Sequence, residues 1–210
     1  MKILIALCFL CSSLYCFSQT YVGPFYGRSW SHVEGTFSEE TFYNGVMTQA
    51  GYSAKSNLLG IRIDQHLSNK FIFSFTGQMT SKTVDFFDRG IVGYTHLRYK
   101  VKSSSVTLNY NPLPFWSVGM GGAFDWLHKI QVGKTDIDTW SDPFDNKYNL
   151  NQFSLVFATS FRFKGFVLEG RWLKGGNTFG DLEIDPFVGH MDSFELTLGY
   201  VLKIFGREKK

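Results

Sequence analysis

The strongest constraint in this chain is a period-two alternation that returns again and again, separated by breaks of two different lengths. In FELTLGYVLKIF, residues 194–205, Phe194, Leu196, Leu198, Tyr200, Leu202 and Ile204 share one phase, while Glu195, Thr197 and Gly199 take the other. Such alternation is the mark of a β-strand with one apolar and one polar face. It occurs again in LLGIRID (58–64), FIFSFTGQMTS (71–81), WSVGMGGAFDW (116–126), FSLVFATSFRF (153–163) and FVLEGRWL (166–173), with a further segment near YVGPFYGRSW (21–30). The segment from Tyr94 to Tyr110 changes phase: Leu97, Tyr99 and Val101 are odd-numbered, whereas Val106, Leu108 and Tyr110 are even. One extra residue near Ser103 to Ser105, a β-bulge, accounts for that change.

The count comes to about eight strands, typical of the smallest closed barrels. The breaks after the second, fourth and sixth are short: LSNK, NPLP and the pair Lys164-Gly165. Those after the first, third, fifth and seventh are longer. Short turns at one end and longer loops at the other are the pattern of bacterial outer-membrane barrels.

Alternation alone does not say which face is inside. Volume does: an eight-stranded barrel is barely wide enough for side chains to fill it, and the Phe, Tyr, Trp and Leu carried by the apolar phase of nearly every strand would overfill it. The other phase is small or polar, most clearly Ser117, Gly119, Gly121 and Ala123. The charges on the polar phases also nearly balance. Arg62, Arg98, Lys100, Arg162 and Arg171 face Asp64, Asp125, Glu169 and Glu195, five positive against four negative. Enclosed together they form a lumen charge network; turned to lipid, each Arg or Lys costs roughly 2 to 4 kcal/mol at mid-membrane. The sequence therefore predicts an all-β, eight-stranded antiparallel up-and-down transmembrane β-barrel. Its apolar face points to lipid and its lumen is plugged. Glu195 becomes a lumen group and GREKK a short periplasmic tail.

The start of the chain fits that compartment. Lys2, the apolar run ILIALCFL and the small or polar stretch ending at Ser18 have the order of a secretory signal peptide, with cleavage expected after Ser18. Residues 1–18 are read as leader and 19–210 as the barrel domain. All three cysteines, Cys8, Cys11 and Cys16, lie in the leader, so the mature chain has neither a disulfide framework nor a cysteine metal site. Net charge is +3 and the only basic cluster is the tail REKK, which gives no footing for nucleic acid.

With leader, alternation, loop asymmetry and an aromatic, Phe205, at the end of the last strand, the sequence resembles the small outer-membrane β-barrels of the OmpA and OmpX type, PorT-like barrels in particular, over residues 20 to 205. The resemblance implies the cell outer membrane of a Gram-negative envelope, contact with outer-membrane lipid and lipopolysaccharide, and delivery by barrel-insertion machinery that reads the terminal aromatic. Here five residues follow Phe205.

Candidate chemistry is sparse. His66-Leu67-Ser68 has the spacing of the His-x-Ser pair in lipid A deacylases, but falls in a turn on the periplasmic side. His32, His96, His128 and His190 lie near strand ends without a companion at metal-ligand spacing. Asp136, Asp138, Asp142 and Asp145 gather in one loop without the glycine and distal glutamate of a calcium loop, and read as a solvated acidic segment. Phe86, Phe87, Trp140, Phe144, Phe179 and Phe187 lie in the loops, as an aromatic belt at the rim or as a surface for a partner. No cofactor or metal is expected. The expected role is structural or interactive, as a monomer that presents loops to a protein partner or ligand. The rivals are an enzyme on lipid A and a narrow channel for small solutes.

Overall fold

A computed structural model describes residues 19–37, 48–85, 96–134, 137–141, 150–176 and 187–205. The leader, Phe86, Phe87, Asp136, Asp142, Phe144, Asp145, Phe179 and the tail beyond Phe205 lie outside the described residues. So do the side chains of His96, His128, Asp138, Trp140, Phe187 and His190.

The described chain is almost entirely strand: β1 (Gln19–Phe37), β2 (Thr48–His66), β3 (Phe71–Asp85), β4 (His96–Leu113), β5 (Trp116–Lys134), β6 (Ile137–Ser141), β7 (Leu150–Phe163), β8 (Phe166–Gly175), β9 (Phe187–Tyr200) and β10 (Leu202–Phe205). Each pairs antiparallel with its successor along the wall. The wall closes because β1 pairs with β9 over its upper part and with β10 over its lower part. β9 and β10 are one barrel strand interrupted at Val201, whose amide donates to the Gly165 carbonyl at 2.8 Å. β6 pairs with the end of β5 outside the wall. The result is a closed eight-stranded up-and-down barrel.

Register fixes its shape. Hydrogen-bonded neighbours followed once around run Gln19, His66, Ile72, Asn109, Gly119, Ala158, Arg171, Glu195 and back to β1 at Ser29, ten residues above the start. That stagger tilts the strands by about 40° to the axis, within the range of small barrels. The turn between β7 and β8 is local chemistry: Lys164 and Gly165 both have positive φ, 48° and 88°, the two-residue hairpin whose twist matches the strands.

The phases sort as the volume argument requires. Leu59, Ile61, Phe73, Phe75, Met120, Phe157, Leu168, Trp172, Leu196 and Leu198 are exposed on the outside, while Ser74, Thr76, Ser105, Thr107, Ser117 and Ser160 are buried inside. Two expectations fail on β4. It runs against β3 without a break from Phe71↔Tyr110 to Asp85↔His96, so no bulge occurs at Ser103 to Ser105. The irregularity is on β5, where Lys100↔Lys129 is followed by Val101↔Leu127 and His128 is the extra residue. Val101 keeps the phase of Ser103 and Ser105 and is buried. Toward the loop end the inside therefore becomes mixed: Leu58 and Val101 are buried there, as are Ser56, Ser103 and Gln152, and Ala123, Val156 and Leu173 form a small cluster.

The strands are also longer than the alternation shows. β2 begins at Thr48, ten residues before the alternation of LLGIRID (58–64) starts. There the wall continues by backbone pairing, Phe37↔Thr48 onward, which needs no apolar phase.

Candidate functional site

Among the described residues, six charged side chains of the lumen form an alternating chain. Beginning at the short-turn end, Arg162 Nη2 lies 2.9 Å from Asp64 Oδ2. The carboxylate of Asp64 accepts from Arg62 Nε at 2.7 and 2.8 Å. Arg62 Nη1 donates to Glu169 Oε2 at 2.5 Å. Glu169 Oε1 stands 3.7 Å from Arg171 Nε, and Arg171 Nη2 donates to Glu195 Oε2 at 2.6 Å. Three guanidinium groups and three carboxylates cancel in charge. Arg62, Asp64, Glu169, Arg171 and Glu195 are each at most 3% exposed, so the interior has a low dielectric and every remaining donor needs a partner.

The wall supplies many of those partners, although Arg162 Nε and Arg171 Nε make no hydrogen bond. Arg62 Nη2 donates to Ser74 Oγ at 3.1 Å, and Asn109 Nδ2 donates to the same oxygen at 2.9 Å. Arg171 Nη1 donates to Thr76 Oγ1 at 2.8 Å and Ser105 Oγ at 3.1 Å, and its Nη2 also donates to Gln78 Oε1. Gln78 Nε2 in turn donates to Glu195 Oε1 at 2.8 Å. Phe25 turns inward as well, with the Arg171 guanidinium 5.8 Å from its ring centroid, a cation–π distance.

Of the nine charged residues grouped in the sequence, the structure brings together Arg62, Asp64, Arg162, Glu169, Arg171 and Glu195. Asp125 takes the inward phase nearer the loop end, opposite Ser103 and Gln152. Lys100 is a correction: it is exposed on the exterior, because β4 keeps its phase where a bulge had been expected. Arg98 shares the phase of Lys100 and is half-buried. The polar companions Ser74, Thr76, Gln78, Ser105 and Asn109 were missed. Part of their signal was available, since Ser74, Thr76 and Gln78 lie in the small phase of β3, next to β2 with Arg62; Ser105 and Asn109 lie on β4, between two strands without arginine.

His66 and Ser68 do not form a catalytic pair. Ser68 Oγ accepts from the Lys70 amide at 3.2 Å and the Phe71 amide at 3.1 Å, which caps its own turn. His66 packs against Tyr21, centroid to centroid 4.8 Å. Both border an open recess of about 450 Å³ at the short-turn end. Among the described residues no group of His, Cys, Asp and Glu has metal-binding geometry.

The exterior is that of a barrel embedded in lipid. Thr20, Gln65, Phe73, Leu108, Met120, Phe157, Trp172, Phe194 and Trp30 form one continuous hydrogen-bonded row spiralling around it, and most of these side chains are apolar and outward-facing. A closed eight-stranded barrel with an aromatic-rich apolar exterior, polar lumen, short turns at one end and longer connections at the other is an integral outer-membrane protein. No known family profile matches the chain, and no curated protein does. Solved structures similar to it include Ail, the attachment invasion locus protein of Yersinia pestis, at 12% identity, covering 87% of this chain and 98% of that one with a TM-score of 0.42. Neisserial surface protein A is similar at 13% identity, with 86% and 97% covered and a TM-score of 0.49. The outer membrane protein AlkL is similar at 14% identity, with 92% and 94% covered and a TM-score of 0.46.

Proposed function

We propose that the chain is a non-conducting outer-membrane anchor of the PorT-like kind, whose role is to hold and present its longer loops to a protein partner or ligand as a monomer. The observation that carries this reading is the chain Arg162, Asp64, Arg62, Glu169, Arg171, Glu195, which crosses the lumen with no link longer than 3.7 Å. A hydrated solute would have to separate buried opposite charges, and eight strands leave no spare width for a path beside them. Removal of residues 1–18 and delivery by the insertion machinery belong to the same reading. Support for delivery comes from Phe205, which pairs with Thr20 at the seam where the barrel closes and points outward. Conductance in planar bilayers tests the closed lumen. The expected result is a flat baseline from the native protein; reproducible unitary steps would overturn the plug and favour the narrow channel. Loop-dependent capture of a partner from the native envelope, lost when the loops are shortened, tests the presenting role.

A further inference from the structure

The exterior is not uniform at its loop end. Arg28 on β1, Lys55 on β2 and Lys100 and Lys102 on β4 are exposed there, in the outward phase. They sit on one side of the barrel. One hydrogen-bonded row runs Tyr26, Leu59, Met79, Lys102 and Trp126 across five strands. In the row above, Arg28 pairs with Asn57 and Ser81 with Lys100. No described carboxylate pairs with these four cations. On the opposite side, the outward-facing Lys174 on β8 is neutralised by Asp192 on β9.

Between these rows the wall forms an open groove of about 390 Å³ bordered by Tyr26, Leu59, Met79, Ser81, Lys100 and Lys102. Its lower wall is apolar: Leu59 and Met79 are 62% and 64% exposed. Two ammonium groups flank it on β4, Lys102 in the row of Leu59 and Met79 and Lys100 in the row above. The groove opens sideways, toward lipid, at the boundary between the apolar band and the longer connections. That boundary belongs to the outer leaflet.

We infer that this groove is a binding site for a phosphorylated, acylated glycolipid of the outer leaflet, the lipid A class. Its phosphates sit on Lys100 and Lys102, and an acyl chain lies along Leu59 and Met79. The inference rests on the membrane reading of the exterior. Charge complementarity selects the occupant. Cations beside an apolar surface at a leaflet boundary gain from anionic headgroups, and a soluble polyanion would leave Leu59 and Met79 uncovered. Each cation lies on rigid paired strand, which holds the constellation in place.

The test is native mass spectrometry of the full protein in mild detergent, with three lipids added separately: bisphosphorylated lipid A, its acyl-matched dephosphorylated form, and phosphatidylglycerol. One lipid A should be retained, with the dephosphorylated form held about tenfold less tightly or worse, as expected for two charges at a lipid surface. K100Q/K102Q should lose retention to the same extent, and K174Q should leave it unchanged. Equal retention of both glycolipids, equal retention of phosphatidylglycerol, or an equal loss in K174Q would overturn the site. Displacement by millimolar inorganic phosphate would assign it to a free anion and overturn the lipid. The wild-type arms need no variant to fold. A shift in gel mobility on boiling in SDS reports the barrel independently, so failure of the membrane reading is distinguishable from failure of this one.

Discussion

Arg62 on β2 and Glu169 on β8 meet in the middle of the lumen, Nη1 to Oε2 at 2.5 Å, although their strands are not neighbours in the wall. The contact is a strut across the barrel. The same guanidinium holds Asp64 through Nε at 2.7 Å, and Glu169 faces Arg171 on its other side. Glu169→Ala therefore strips a carboxylate from two buried arginines at once. A loss of about 3 to 5 kcal/mol is expected, the usual result of leaving a buried charge uncompensated. Urea unfolding in lipid vesicles, followed by tryptophan fluorescence and gel mobility, measures it. A loss under about 1 kcal/mol, the scale of a solvated surface pair, would mean that water enters the lumen freely.

Arg171 and Glu195 are in direct contact and share Gln78 as a partner. Arg171→Met and Glu195→Gln should each destabilise the barrel, and the double variant should lose less than the sum of the two. The difference should be about 1 kcal/mol or more, as for contacting residues of one network. The same unfolding assay closes the cycle. Strict additivity would show that the two side chains do not stabilise each other.

The wall was largely legible in the sequence, the interior only in part. Alternation located the strands near the membrane, and Lys164-Gly165 marked its hairpin, because both depend on neighbouring residues. The outward phase followed from volume, since Phe73, Phe157 and their like cannot fit inside. What failed was the assumption that an apolar residue in the wall points outward everywhere. Val101 is apolar and buried in the lumen, whereas Lys100 beside it is exposed; the reversal of pattern along β4 is a change in what fills the barrel, not in the backbone. Toward the loop end the lumen takes Leu58, Val156 and Leu173 among polar side chains such as Ser56, Ser103 and Gln152. No local rule marks where apolar side chains join a polar filling. The start of β2 was hidden for a related reason: in the phase of Leu59 the sequence there has Gln49, Gly51, Ser53, Lys55 and Asn57, and no apolar alternation marks it.

Leu198 tests the outward face. It lies within the apolar band on β9, pairs with Tyr26 on one side and Leu168 on the other, and is 56% exposed. Leu198→Arg should cost about 2 to 4 kcal/mol in vesicles, the cost of a cation near the bilayer midplane. In a water-soluble barrel the same change would be neutral or favourable. A cost near zero would place this face in water.

Two glycines separate close backbone packing from simple strand propensity. At Gly121 on β5 an added Cβ would lie 1.8 Å from the Val106 carbonyl oxygen and 2.8 Å from the Thr107 Cα. Both atoms belong to the backbone of β4, so no side-chain rotation relieves the clash, and the two strands would have to part. At Gly77 on β3 nothing lies within 4 Å of the same position, and its φ is not positive. Gly121→Ala should abolish or severely reduce the heat-shifted folded band. Gly77→Ala should fold normally and gain about 0.4 to 1 kcal/mol from a less flexible unfolded chain. The small residues of β5 would then be explained by strand approach as well as by the narrow lumen. If Gly121→Ala folds as well as Gly77→Ala, the contact between β4 and β5 is looser than this register requires.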